Sequence, residues 1–95
     1  MPPRRVGVVG YGALGAFLVE KIQSEGAAYG MELAFVWNRS PEKLDGIPEG
    51  LKLLDLTKFA EKKADIIVEV AHPNITVEHG AAFLSEADYY VRGVY

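Results

Sequence analysis

The sequence has 95 residues, 49% of them apolar, with a formal net charge of −3 and no cysteine. This length supports one small domain with a real core, burying only about 60–65% of the surface its unfolded chain exposes. The charge is mild and basic residues run together only at Arg4-Arg5 and Lys62-Lys63, which speaks against nucleic acid or an anionic membrane as partner; without cysteine there is no disulfide, zinc–thiolate site or thiol nucleophile. No apolar run approaches the roughly 20 residues of a bilayer span. The opening Met1-Pro2-Pro3-Arg4-Arg5 lacks the apolar segment of a secretion signal, so a cytoplasmic protein is expected.

Val6 to Val9 is a short β-branched run without alternation, which suits a strand buried on both faces of a parallel sheet. Leu14, Phe17, Leu18 and Ile22 follow at helical spacing, with Glu20, Lys21 and Gln23 on the other side. Gly26 and Gly30 break that helix, and "MELAFVW" (31–37) reads as a second buried strand. Ser40-Pro41-Glu42-Lys43 has the form of a capped turn with proline at the first helical position. Gly46, Pro48 and Gly50 mark irregular chain, after which Asp55 is placed to cap a short helix with Leu56, Phe59 and Ala60 inward and Glu61, Lys62 and Lys63 in water. "IIVEVA" (66–71) is a third strand; Val77, Ala81 and Leu84 repeat helically after Pro73; "YYV" (89–91) is a fourth strand. Gly80 inside the last helix costs about 1 kcal/mol against alanine, which close packing on the sheet would explain. Trp37, Tyr89, Tyr90 and Tyr95 read as packing residues, since no basic stripe accompanies them.

Strands alternating with helices imply an α/β fold with a parallel sheet and right-handed crossovers. The expected architecture is about half of a doubly wound, Rossmann-type domain over residues 1–95, with strand order 3-2-1-4. A half sheet of that order leaves its first strand open on one side, and an exposed edge invites self-association.

Gly10-Tyr11-Gly12-Ala13-Leu14-Gly15 fits G-x-G-x-x-G at the junction of the first strand and helix. In that context the first glycine makes a tight turn, the second leaves room for a pyrophosphate and the third lets helix pack on strand. The helix N-terminus offers unpaired N–H groups to the phosphates. The plainer reading is a glycine turn kept for packing alone. At the tip of the second strand, where an NAD site carries Asp or Glu for the ribose hydroxyls, the chain instead reads Asn38-Arg39-Ser40. Those residues suit a 2′-phosphate, with Arg39 supplying charge and a plane to stack on adenine. The alternative is a solvated loop start, so the cofactor is left as NADP or NAD.

Glu69 interrupts "IIVEVA". A buried carboxylate is costly unless paired; it either meets a neighbouring loop's N–H groups or supports the cofactor site. Ala71-His72-Pro73 follows at the carboxyl end of the third strand, where ligands of such folds lie. His72 is there a lining residue or a helix cap before it is an acid or base. His79 beside Glu78 reads as a solvated face. No paired carboxylates, ligand cluster or nucleophile elbow is visible, so no catalytic and no metal-binding residue is assigned. Asn74-Ile75-Thr76 fits the glycosylation pattern, discounted without a sign of secretion.

The segments "RVGVVGYGALG", "ELAFVWNRS" and "ADIIVEVAHPNITVEHGAAFL", in this order, resemble the N-terminal region of the L-aspartate dehydrogenase family over about residues 4–88. "VWNR" and "VEVAHP" carry more of the likeness than the glycines do. The resemblance implies NAD(P)-dependent oxidative deamination of L-aspartate, through an iminoaspartate, to oxaloacetate and ammonia. By the same likeness Gly10, Tyr11, Gly12, Ala13, Leu14 and Gly15 surround the pyrophosphate, Asn38 and Arg39 lie at the adenosine ribose, and Ala71, His72 and Pro73 border the nicotinamide half. Family members are well over twice this length, and their second domain holds the substrate pocket and catalytic histidine. L-Aspartate is therefore a partner only for a full-length protein, and the likeness fades after Asp88. Two readings stand: the cofactor half of an aspartate dehydrogenase-like oxidoreductase, or a stand-alone nucleotide-binding or partner-docking module. A methyltransferase-like domain is a third, weakened by the missing acid at the second strand's tip.

Overall fold

The computed structural model describes residues 2–91. Residues 92–95, where the sequence departs from the family pattern and where Tyr95 stands, lie outside the described residues. Four strands form one sheet: β1 (Arg4–Val9), β2 (Met31–Trp37), β3 (Ile66–Glu69) and β4 (Asp88–Val91). Two α-helices cross over it, α1 (Ala13–Glu25) after β1 and α2 (Pro73–Glu86) after β3, and short 3₁₀ turns fill Gly26–Tyr29 and the stretch between β2 and β3. All pairings are parallel, as crossover connections require.

The order is β2-β1-β3-β4, which corrects the expected 3-2-1-4. The strand at 66–69 pairs with β1, not outside β2. The place outside β2 is taken by one parallel bridge, Val36 to Lys52, with the Leu53 amide donating to the Val36 carbonyl at 2.9 Å. The "LKLL" segment is thus a vestigial strand, and counting it gives the doubly wound order 3-2-1-4-5 across the described residues. It follows that β1 is central, flanked on both sides, and is no open edge. The third strand also ends two residues early. The Glu69 carboxylate accepts the Ala71 and His72 amides, at 2.5 and 2.8 Å, and turns the chain off the sheet.

Val6, Val8 and Val9 are buried on both faces of the sheet, as their lack of alternation predicts. On one face α2 and the 56–62 turn pack Ile75, Phe83 and Phe59 over Val9, Phe35 and Ile67; the Phe59 and Phe83 rings meet edge to face at 4.9 Å. On the other face α1 and the turns before β3 pack Val19, Leu44 and Ile47 over Val6, Val8 and Val36. Phe35 lies directly over Gly7, where an added Cβ would sit 2.2 Å from its ring. Asp55 caps the 56–62 turn as expected, accepting the Thr57 amide at 3.0 Å. The Thr57 hydroxyl bond, then the amide, holds its carboxyl below the ordinary aspartate value.

Two helical faces differ from expectation. On α1 the side against the sheet is Gly15 and Val19, continued by half-buried Ile22 and by Gly26, whereas Leu14 is 41% and Phe17 55% exposed. On α2 the inward side is Ile75, Gly80 and Phe83, and Val77 and Leu84 point to solvent. In each case a glycine marks the contact face: on α1, Gly15 and Gly26 meet backbone carbonyls, and on α2, Gly80 faces the Tyr89 ring. His79 is not a purely solvated side chain either: its ring stacks on Phe83 at 5.8 Å.

Gly80 sits against Tyr89 of β4, whose hydroxyl shares a 2.8 Å hydrogen bond with Thr76. Burial pushes the Tyr89 phenol above its ordinary value of 10.0, helped by the nearby Glu69 and opposed by Thr76. A raised acid favours the folded state only while it stays protonated. Its contribution is complete below about pH 10 and declines as pH rises through the raised value. Urea unfolding between pH 9 and 11 is expected to show this loss in the parent chain. In Tyr89→Phe that part of the pH dependence should be absent; an unchanged slope in Tyr89→Phe would contradict it.

Candidate dinucleotide-binding crevice

A crevice of about 300 Å³ opens at the carboxyl ends of β1, β2 and β3, where the connections leave β1 and β3 in opposite directions. Its floor is built from the β1–α1 junction. Gly10 has φ +115, a conformation that side-chain-bearing residues rarely adopt, and donates its amide to the Trp37 carbonyl at 2.7 Å. A Cβ at Gly15 would stand 2.0 Å from the Gly10 carbonyl oxygen, so α1 begins in direct backbone contact with the end of β1. Gly12 is different: a Cβ there would have no atom within 4 Å. Packing does not require glycine at that position. The open volume it leaves faces the N-terminus of α1, which has neither a side-chain cap nor an acid in its first turn, so its orphan N–H groups suit an anion.

The wall toward β2 is held by Asn38. Its Oδ1 accepts the Tyr11 amide at 2.9 Å and its Nδ2 donates to the Ser40 carbonyl at 3.1 Å. The amide expected to meet a 2′-phosphate is therefore already engaged, latching the glycine loop to the strand tip. Arg39, Ser40 and Lys43 line the same wall. Arg39 and Lys43 are exposed and neither forms an ion pair among the described residues. Among the described residues no carboxylate lines the crevice.

The wall toward β3 carries Val70, Ala71, His72 and Ile75. Glu69, 0% exposed, lies beneath it and accepts two amides of the turn, which is the loop-satisfied role weighed for it. The His72 side chain caps α2, its Nδ1 accepting the Asn74 amide at 3.2 Å. The N-terminal end of α2 is thus supplied with the protein's own acceptors, whereas that of α1 is bare.

Of the residues singled out in the sequence, Gly10, Tyr11, Gly12, Asn38, Arg39, Ser40, Ala71 and His72 all line the crevice. Ala13, Leu14 and Gly15 form the first turn of α1, and Pro73 is the first residue of α2. Sequence reasoning missed Trp37, Lys43, Val70 and Ile75 as lining residues. Lys43 was within reach: the Ser40-Pro41 turn, closed by the Lys43 amide on the Ser40 carbonyl at 3.1 Å, brings the third residue onward back to the strand tip. Among the described residues no cluster of metal-ligating side chains occurs, and no helix is long and apolar enough to cross a membrane.

The three glycines therefore separate by role. Gly12→Ala is expected to change stability by less than about 0.5 kcal/mol, whereas Gly15→Ala, pressed on a backbone carbonyl, should cost about 1–3 kcal/mol. Denaturant midpoints of the two variants check this, and equal midpoints would contradict the assigned contacts.

Residues 10–90 match the family described as homoserine dehydrogenase, NAD binding domain. The chain is 58% identical over 88 residues to an aspartate dehydrogenase domain-containing protein of Danio rerio, covering 92% of this chain and 32% of that protein. It is 57% identical over 88 residues to the protein of the same name in Xenopus tropicalis, covering 92% and 31%. The chain spans about a third of the length of these curated relatives. The bare α1 terminus, the open position at Gly12 and the match over residues 10–90 agree, and the chain belongs to the family of homoserine dehydrogenase-type NAD-binding domains.

Proposed function

We propose that this chain is the coenzyme-holding part of an L-aspartate dehydrogenase-like oxidoreductase, and that it takes NADP in preference to NAD. The observation that supports the reading most strongly is the empty space at Gly12 in front of the uncapped helix. A glycine that packing does not need is explained by a diphosphate that must come close to the backbone. The relatives' names supply the substrate class. When bound, the dinucleotide supplies the hydride acceptor for oxidising the substrate's amine-bearing carbon. This chain's residues then bind and orient: the first turn of α1 holds the diphosphate, and the Asn38 latch fixes that turn relative to the strand tip. The Ala71–His72 turn borders the nicotinamide half. The crevice pairs no acid with a base, so the 95 residues alone are expected not to oxidise L-aspartate.

NADP preference rests on Arg39 and Lys43, two cations that, among the described residues, form no ion pair and share their wall with no carboxylate. A 2′-phosphate there gains charge-assisted hydrogen bonds, while a ribose diol finds no acid. Calorimetric titration with NADPH, NADH and adenosylmethionine tests both parts. NADPH is expected to bind most tightly. Arg39→Ala and Lys43→Ala should each weaken NADPH about tenfold and NADH less than about twofold. Gly12→Val should abolish dinucleotide binding while leaving unfolding unchanged. NADH binding as tightly as NADPH, indifferent to both cations, would remove the preference; adenosylmethionine alone binding would remove the reading.

One observation favours a second reading, a nucleotide-holding module that also docks. Tyr90, aligned with Val68 in the sheet, is 59% exposed, and Phe17 and Leu14 are exposed on α1 over the same face. No helix of the described residues covers that part of β3 and β4. Sedimentation at rising concentration is expected to show association that Phe17→Glu suppresses; a monomer throughout would leave the coenzyme-holding role alone.

A further inference from the structure

We infer that His72 is a hydrogen-bond donor to the nicotinamide riboside of the bound dinucleotide, fixed in the donating tautomer by its capping of α2. The inference rests on the dinucleotide reading above and goes beyond it. The Asn74 amide gives its proton to His72 Nδ1 at 3.2 Å. A nitrogen that accepts has its lone pair free, so in the neutral ring the proton is on Nε2. The two nitrogens are separated by one ring carbon, so the cap uses one and leaves Nε2 as a second polar atom. Among the described residues no acceptor meets it, and His72 is exposed where it lines the crevice.

The surroundings hold the backbone that carries the ring. Glu69, fully buried, accepts the amides of both Ala71 and His72. The backbone of residue 72 is thereby held in extended conformation, φ −156 and ψ 145, at the first turn of α2. Backbone and side chain of His72 are each tied at one point, and the remaining N–H projects from a preorganised frame. Its chemistry matches a neutral acceptor oxygen, either the nicotinamide carboxamide or the adjoining ribose hydroxyl. It does not match a general base, because the accepting nitrogen is spent on the helix.

His72→Ser retains a cap, since a hydroxyl accepts from the same amide, and removes the donor. His72→Asn retains both an acceptor and an N–H donor. Titrations use NADPH and NADH, each against the matching ADP-ribose, which lacks only the nicotinamide ring, and against ADP, which lacks the ribose as well. His72→Ser is expected to unfold like the parent yet bind the dinucleotide about 3–10-fold more weakly. Loss confined to the dinucleotide assigns the carboxamide; loss shared with ADP-ribose but not ADP assigns the ribose. His72→Asn should recover part of the affinity. Equal loss for ADP, or no loss for any probe, overturns the inference. So does a ¹⁵N spectrum of the neutral ring that places the proton on Nδ1. A parent chain that binds none of the probes would instead refute the dinucleotide reading, a separate outcome.

Discussion

The carbonyl oxygen of Gly10 lies so close to Gly15 that a methyl group there would stand 2.0 Å from it. This backbone contact sets where α1 starts, how it crosses β1 and which face it presents. Because the helix touches the strand at 15, its next contacts fall at Val19, Ile22 and Gly26, one helical face. Val19 then covers Val6 and Val8, and the α1-side core follows. The same contact leaves the first turn of the helix standing beyond the end of β1, facing the crevice. Packing and function thus share one constraint, and it lies in the backbone.

Two helices begin at the carboxyl edge of the sheet, and the difference between them gives the crevice its direction. The α2 end is furnished from within: His72 caps it and Glu69 takes the two amides that precede it. A carboxylate at a helix N-terminus is favourable, and it offsets the desolvation that would otherwise make a buried glutamate costly. The α1 end has no such acceptor. An incoming anion therefore meets one terminus already neutralised and another that is not.

How much of this was legible in the sequence follows from what each residue answers to. The four strands, the two helices and the glycine junction answer to local pattern, and the sequence signals for them agree with the structure. Strand order does not. "LKLL" makes a single bridge to Val36, too short to read as a strand, so the third strand seen in the sequence was put on the wrong side of β1. The inward faces of α1 and α2 were misread because apolar spacing was followed where glycines marked the contact. Leu14, Phe17, Val77 and Leu84 have the periodicity but not the sheet. Gly10 to Gly12, Asn38 to Ser40, Ala71 and His72 were found because position after a strand is a strong rule for ligand sites, whereas Trp37 and Val70, read as strand packing, were not. Lys43 was missed because it is brought in by a tertiary fold-back of a short turn.

Asn38 shows why a single-letter reading of the strand tip falls short. An asparagine where an acid is usual reads simply as the loss of a ribose ligand. In the structure the side chain accepts from the Tyr11 amide and donates to the Ser40 carbonyl at once, which an amide does with two separate atoms and a carboxylate does not. An aspartate would keep the first bond and set a carboxylate against the carbonyl oxygen, breaking the second. Meeting both demands ties the glycine loop to the Asn38–Ser40 strand tip, on the wall that Arg39 and Lys43 also line.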